Sequence, residues 1–416
     1  MPATDIAVVE ATLKEGWTQD NLEIQFQKDD ELMKQLGVKD PDEMIGDHAS
    51  TAVHTGRGGG FTMVGPNGSR ETNAPDGQKT AKAKWTLRRA FNAIEIDTAT
   101  IKRTGNNSQA VAKVVDTEVT GTVSDTQKQI VRQLVGDQSG FIVSLEDNGG
   151  GTTKLPLRIN GADAYALGIE ATRQQWLPIG QVIDIGTAAN EAALAASREI
   201  TAYDDDEAEP TITISGANVD TEEDGKFFVS IANSRSGATS YSINGFRNLA
   251  DPAKTFGELN PEVEPGWVPA FQDLTGGPIS RQRVVKGRRK VRQKGRNPDW
   301  AWTSLKQVEA LENETYPQVR FDGVDQQNLG DGEFVMIGKG LRVQAHEDCP
   351  DGDFTYVRRE HVFMIRDEKP YWLTQQYGNG ILMPQANSTF LYGSLEWYLE
   401  MASNRRNAIG QFRNLA

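Results

Sequence analysis

NNSQAVAKVVDTEVTGTVSDTQKQIVRQLV, residues 106–135, is the stretch on which the fold turns. Val111, Val115, Val119, Val123, Ile130 and Leu134 recur at spacings close to four, which predicts a helix with one apolar stripe. At about 1.5 Å per residue the rod is about 45 Å long, with a bend expected at Gly121 near its middle. GDQSG at 136–140 places glycines where a left-handed residue ends a helix.

A second long element lies far along the chain. In FLYGSLEWYLEM, 390–401, Leu391, Leu395, Trp397, Leu399 and Met401 point one way, while Tyr392, Glu396, Tyr398 and Glu400 point the other. Counted from Ser388, the strand spans about 46 Å. A helix and a strand of equal, unusual length predict one elongated unit built from distant parts of the sequence.

Between and before them the texture varies. Residues 1–50 are polar and mostly helical in pattern, with Leu22, Ile24, Phe26, Leu32, Met33 and Leu36 in an acidic background. Such a segment buries too little to fold alone and is expected to lie as an arm on something else. Residues 55–97 carry β-type residues at Gly60–Val64 and Trp85–Ile96 around a middle of Gly, Pro, Asn and Lys. As a hairpin each arm would reach roughly 60 Å, and a two-stranded ribbon with no core is marginal in water. It is expected to rest on a neighbouring copy of the chain.

After the helix, 141–144 and 154–159 read as strands. Residues 176–235 read as a small β unit with strands near 182–185, 199–203, 211–215 and 226–231. The acidic turn Asp204, Asp205, Asp206, Glu207 and Glu209 lacks the oxygen spacing and glycine of a calcium loop and reads as solvated. A loop-rich stretch, 240–275, leads to PISRQRVVKGRRKVRQKGR, which holds nine Lys or Arg between Ile279 and Arg296 and no acid. Arg281, Arg283, Lys286, Arg288, Arg289, Lys290 and Arg292 form its basic patch, and Val284, Val285 and Val291 mark a narrow buried stripe. In an acidic chain the expected partner of this helix is an acidic surface of its own kind. Trp302, Leu305, Val308 and Leu311 then space as the inner face of a helix, followed by strand-like pieces at 333–337, 341–345, 354–358 and 361–365. Together these predict an α/β layer.

Composition narrows the function. With 416 residues and 37% hydrophobic content, the chain has room for two to four domains. No run approaches 18 apolar residues and no charged-then-apolar leader opens the sequence, so neither a membrane span nor a secretory signal is expected. The lone Cys349 excludes an intrachain disulfide framework. A net charge of −14 argues against a surface that grips nucleic acid throughout. The histidines, His48, His54, His346 and His361, fall in no zinc motif. His346 with Cys349 gives too few ligands for a metal and reads as a surface loop. The glycines of TGRGGGFTMVGPNGS lack the closing GK[ST] of a phosphate loop. No catalytic residue, cofactor site or metal site is derivable.

The order of parts resembles the major capsid proteins of tailed bacteriophages, the Hong Kong 97-like shell fold. TLKEGWTQDNLEIQFQKDDELMKQL looks like the family's arm, and GFTMVGPNGSRETN with KWTLRRAFNAIEID like its extended loop. DTEVTGTVSDTQKQIVRQLVGDQSG looks like the spine helix, and FVMIGKGLRVQAHEDCPDGDFTYVRREHVFMI like the strand pairs joined through a Cys-Pro turn. The resemblance implies a mixed α+β fold with seven parts. These are an N-terminal arm (1–54), an extended β-hairpin loop (55–97), a peripheral domain (98–175) with spine helix 106–135, and a small β insertion (176–235). A connecting part (236–275), an axial α/β domain (276–375) and a C-terminal return (376–416) with strand 388–401 complete it.

It further implies a structural protein of the virion, not an enzyme, assembled in the bacterial host cytoplasm. Its partners would be itself as hexamers and pentamers, a portal protein, a separate scaffolding protein and a decoration protein. Packaged double-stranded DNA would be held without sequence-specific binding. The residues ahead of the ribbon are too few for a scaffolding segment. Gly65, Arg70, Lys79, Lys82 and Lys84 in the extended loop are the expected intersubunit contacts. No motif marks the acid of a lysine–asparagine cross-link. Alternatives are a nanocompartment shell of the same fold, a nucleic-acid-binding protein acting through 279–296, and an enzyme built on the β and α/β domains.

Overall fold

The computed structural model describes residues 30–40, 43–46, 48–56, 58, 63, 77–97, 108–158, 176–187, 189–190, 194–204, 210–221, 226–315, 334–337, 340–376, 381–384 and 389–415. In chain order, α1 (Glu31–Leu36) precedes β1 (His48–Gly56), β2 (Lys79–Thr86) and β3 (Arg88–Asp97). The long helix α2 (Ser108–Val135), the basic helix α3 (Arg281–Lys294), α4 (Leu305–Thr315) and the long strand β4 (Phe390–Ser403) follow, with shorter strands between.

Helix α2 continues unbroken through Gly121. Val115, Val119, Val123, Ile130 and Leu134 are all buried, as their spacing predicts, whereas the side chain of Val111 lies outside the described residues. Each such side chain contributes roughly 1.5–3 kcal/mol on leaving water. The stripe lies on β3, where the Asn92 amide donates to the Thr122 carbonyl (3.4 Å) and the Thr126 hydroxyl (3.1 Å). The helix stops at Val135 with Gly136 N–H donating to Gln133 O at 3.0 Å. The left-handed positions are Gln138 (φ 70°) and Gly140 (φ 79°), not Gly136. Gly140 also needs its missing side chain, since a Cβ there would sit 3.0 Å from the Ser240 and Ser242 hydroxyls.

Strand β4 is the centre of a six-stranded sheet. One side pairs antiparallel with β3 from Phe390↔Asp97 to Leu399↔Arg88. The other side takes three short strands in turn, Met383–Pro384, Tyr371–Trp372 and Val362–Arg366. The expected polar face of β4 is not solvated. Glu396 and Glu400 are 2% and 1% exposed, because the β2–β3 corner and the 242–249 segment cover that side.

The hairpin differs from the sequence expectation. Its arms are β1 and β2, paired from His48↔Thr86 to Gly56↔Lys79, not 60–64 with 85–96. Residues 60–62 and 64 lie outside the described residues. β3 leaves the hairpin at Leu87 to join β4. Val38–Lys39, Glu43–Ile45 and His48–Gly56 are strands, not helix, although Leu32, Met33 and Leu36 are buried on α1 as expected. Strand pairing with Met44 and with β2 supplied what a helical period could not.

The small β unit is larger than 176–235. A six-stranded sheet has the order Phe141–Ser144, Phe228–Ile231, Val182–Gly186, Ala195–Asp204, Thr211–Ile214, Lys154–Pro156, so the two strands after α2 form its outer edges. Of the acidic turn, 205–209 lie outside the described residues.

A third six-stranded sheet runs Ala270–Gly277, Gly410–Leu415, Phe354–Val357, Trp300–Thr303, Arg342–Ala345, Phe334–Met336. The expected fourth member, 361–365, belongs to the β4 sheet instead, and the C-terminal strand takes its place. Helices α3 and α4 cover this sheet over a core of Val284, Val291, Val308, Leu311, Tyr356 and Phe412. Val285 and Leu305 are 42% and 44% exposed, correcting their assignment to inner faces. Gly287 takes the inner position on α3 because a Cβ there would come within 2.2 Å of the Phe412 ring.

Candidate functional site

Three places combine charge with structural leverage. The first is the hairpin root. Along β2, Ala83 and Trp85 are buried while Lys82 and Lys84 face out, as strand alternation requires; Lys79 shares the Ala83–Trp85 face and is exposed at the start of the strand. Trp85 packs edge-on to Phe256 with ring centroids 4.9 Å apart, and its ring occupies the space a side chain at Gly257 would need. Gly266 lies against the Thr55 carbonyl, which a Cβ would overlap at 1.6 Å. Lys84 N–H donates to Gly257 O (3.0 Å), and its ammonium lies 3.4 Å from the Glu258 carboxylate in an exposed pair. The root thus rests on its own chain, on loop 256–267.

The second is the β2–β3 corner, where Arg88 and Arg89 meet the two buried acids of β4. Arg89 pairs with Glu396, which also accepts from the Tyr371 hydroxyl at 3.4 Å. Burial and the Glu396 charge push the Tyr371 phenol up to about 12. Glu400 accepts from Asn244 N–H (2.6 Å) and Met401 N–H (2.9 Å), with Arg88 Nε 4.0 Å away. Burial raises its carboxyl from 4.5 to about 8, and the two N–H donors and Arg88 offset that only in part.

The third is the junction of α1, α2 and the third sheet, beside a cavity of about 940 Å³. His346 Nε2 lies 3.0 Å from Asp30 Oδ2, and Asp348 N–H donates to Nδ1 at 3.1 Å. Asp30 Oδ1 caps α1 by accepting from Met33 N–H at 2.8 Å. Burial alone would lower His346 and raise Asp30. The hydrogen bond and opposite charge between them win, leaving the histidine raised and the acid lowered. Asp348 accepts from the Trp176 indole N–H at 2.5 Å, and burial raises its carboxyl. The arrangement clamps α1 to the sheet: both Asp30 oxygens and both His346 nitrogens are engaged. The turn that carries His346 and Cys349 is more covered than expected: His346 is half-buried, Cys349 is buried, and burial pushes the thiol well above its usual value. Among the described residues no group of three or more His, Cys, Asp or Glu is placed to hold a metal ion, and no helix is long and apolar enough to cross a membrane.

No protein-family model matches the sequence, and no curated protein matches it. Among solved structures, the cyanophage A-1(L) capsid asymmetric unit is similar over 95% of this chain and 92% of that one, at 11% identity and a TM-score of 0.50. The chain has the tailed-phage major capsid protein fold. The capsid of an empty GTA particle (10% identical, 92% of this chain and 90% of that chain, TM-score 0.45) is also similar. So is the holo-SrpI encapsulin complex from Synechococcus elongatus (9%, 92% and 86%, 0.41).

Within the capsid fold the residues singled out from sequence fall in two places. Lys79, Lys82 and Lys84 share β2, whereas Gly65 and Arg70 lie outside the described residues. Arg281, Lys286, Arg289, Lys290 and Arg292 are exposed on α3, and Arg283 and Arg288 are partly covered. Arg283 donates to Pro278 O, and Arg288 donates to Asn297 Oδ1 (3.0 Å) and Ile337 O (3.4 Å). Sequence reasoning missed the Arg88–Glu400 and Arg89–Glu396 pairs. Two charges on successive residues at a strand corner, facing two acids four apart on a long strand, were the available signal.

Proposed function

We propose that the chain is the subunit of an icosahedral shell that encloses double-stranded DNA in a tailed bacteriophage, assembling with itself as hexamers and pentamers. The observation that carries this reading is the likeness to a phage capsid subunit across 95% of the chain, which leaves little sequence over for another activity. In this reading the β4 sheet with α2 is the peripheral domain, the 270–415 sheet the axial domain, the 141–231 sheet the insertion, and β1–β2 the root of the extended loop. The role is structural, without catalysis or cofactor. A portal protein, a scaffolding protein and a decoration protein are the expected partners, and the virion is the expected location. Net acidity suits a wall that contains DNA without holding it.

The physical logic is that arm and loop gain stability on neighbours, which couples folding to assembly. Expression of the full chain, examined by negative-stain electron microscopy and light scattering, is expected to yield closed particles or capsomer rings. Removing 65–76 is expected to leave a folded chain that forms no closed shell. A chain that stays monomeric alone and with co-expressed scaffolding and portal proteins would overturn the reading. Particles that carry a cargo enzyme in place of DNA would turn it into a nanocompartment.

A further inference from the structure

We propose that the outer face of α3 is one half of a joint between subunits, and that the other half is the acidic loop 258–264 of a second copy of this chain. The inference rests on the shell reading and specifies one of its contacts.

Positions 281, 285, 289 and 292 succeed one another at helical spacing, so Arg281, Val285, Arg289 and Arg292 form one stripe opposite the buried Val284, Gly287 and Val291. All four are exposed. Arg247 and Arg413, by contrast, meet acids within the chain, Asp353 and Asp251. No ion pair among the described residues engages Arg281, Arg289 or Arg292. A chain of net charge −14 therefore turns these three arginines outward with no ion pair to them among the described residues. A phosphate backbone would be served by cations alone. The exposed valine in the middle of the stripe fits a protein surface with an apolar centre and a charged rim.

Loop 258–264 offers the complement. Val263 is 71% exposed between Glu262 and Glu264, neither of which enters an ion pair among the described residues. The loop is already ordered. Val263 and Glu264 N–H donate to Asn260 O at 3.1 and 3.0 Å, Glu262 N–H to Asn260 Oδ1 at 2.9 Å, and Pro261 and Pro265 stiffen its ends. Little entropy is left to lose on docking. Acid–valine–acid thus meets cation–valine–cation. Because the two halves are different surfaces of one chain, the contact repeats head to tail, the geometry from which rings are made. Loop 256–267 also carries the hairpin root through Trp85 and Gly266, so the joint bears directly on the extended loop.

The test uses the full chain with Arg289→Glu and Arg292→Glu together, Glu262→Lys and Glu264→Lys together, and all four combined, plus Val263→Asp as an exposed single change. Electron microscopy and light scattering read assembly, circular-dichroism melting reads the fold, and gel shift with a 30-bp duplex reads DNA binding. The joint predicts wild-type melting throughout, loss of particles in both charge reversals and in Val263→Asp, and their return when all four changes are combined. Reversals that assemble like wild type, or a fourfold variant no better than the doubles, overturn the joint alone. So does a reversal of α3 that abolishes duplex binding while particles still form, which would assign the face to phosphate. A wild-type chain that never assembles overturns the shell reading and the joint with it.

Discussion

Replacing Glu400 with Gln should make the fold more stable above neutral pH, and the size of the effect follows from the site. In the folded chain the carboxyl keeps its proton up to about pH 8, while in the unfolded chain it loses it near 4.5. Between those values the unfolded state carries the negative charge and the folded state carries the proton, so each pH unit of increase costs the native state about 1.4 kcal/mol. Across the whole window the loss is about 5 kcal/mol. Glutamine retains the oxygen that accepts from Asn244 and Met401 N–H and removes the titration. For a cooperative unit of 416 residues, unfolding entropy of about 2 cal/mol/K per residue converts the change between pH 5 and 8 into roughly 4 °C of melting temperature. Calorimetry or circular-dichroism melts of both proteins at half-unit steps would measure it. Other groups, His346 among them, titrate in both proteins and cancel in the difference. Wild-type and Glu400→Gln curves that stay parallel from pH 5 to 8 would refute the reasoning.

Further outcomes follow from the packing. Gly287→Ala is expected to destabilise by about 1–2 kcal/mol despite a better helix propensity, because overpacking against Phe412 outweighs that gain; denaturant melts check it. Arg406→Met is expected to cost at least about 3 kcal/mol, since the guanidinium donates to the carbonyls of Leu249 and Lys254 (both 2.8 Å) and Asn248 (3.1 Å), which would be left buried without a donor. Asp30→Asn should speed trypsin cleavage after Lys34 and Lys39 by loosening α1.

Much of the fold was legible because it is written in local periods. The four-residue spacing of α2 and the strands near 141, 182, 211 and 228 fall close to where the pattern puts them. The hairpin register was not legible. β1 is HASTAVHTG, small and weakly apolar residues whose pairing is decided by the loop beneath Trp85 and Gly266 and not by their own hydrophobicity. Glu396 and Glu400 read as solvent-facing because alternation tells which residues share a face, not what covers it. Their cover comes from Arg89, 307 residues away, and from Asn244, 156 residues away. In α3 the glycine was the better guide to the inner face than Val285, since a missing side chain in a helix marks a close approach. Of the two surfaces of the joint, α3 was legible as charge and 258–264 only as loop; the structure added that both expose a valine.

The position of β4 bears on when the protein can become itself. β3 emerges early in synthesis, yet its partner lies about 300 residues later, and the third sheet likewise waits for Gly410–Leu415 to insert between Ala270–Gly277 and Phe354–Val357. At about 5–20 residues per second that wait is on the order of 15–60 s, during which α2 has only half its bed and the β3 edge is open. Such long-range pairing is slow by topology. Neither sheet closes until 390–415 has been made. The long strand acts as a timer, holding both sheets open until translation has delivered it.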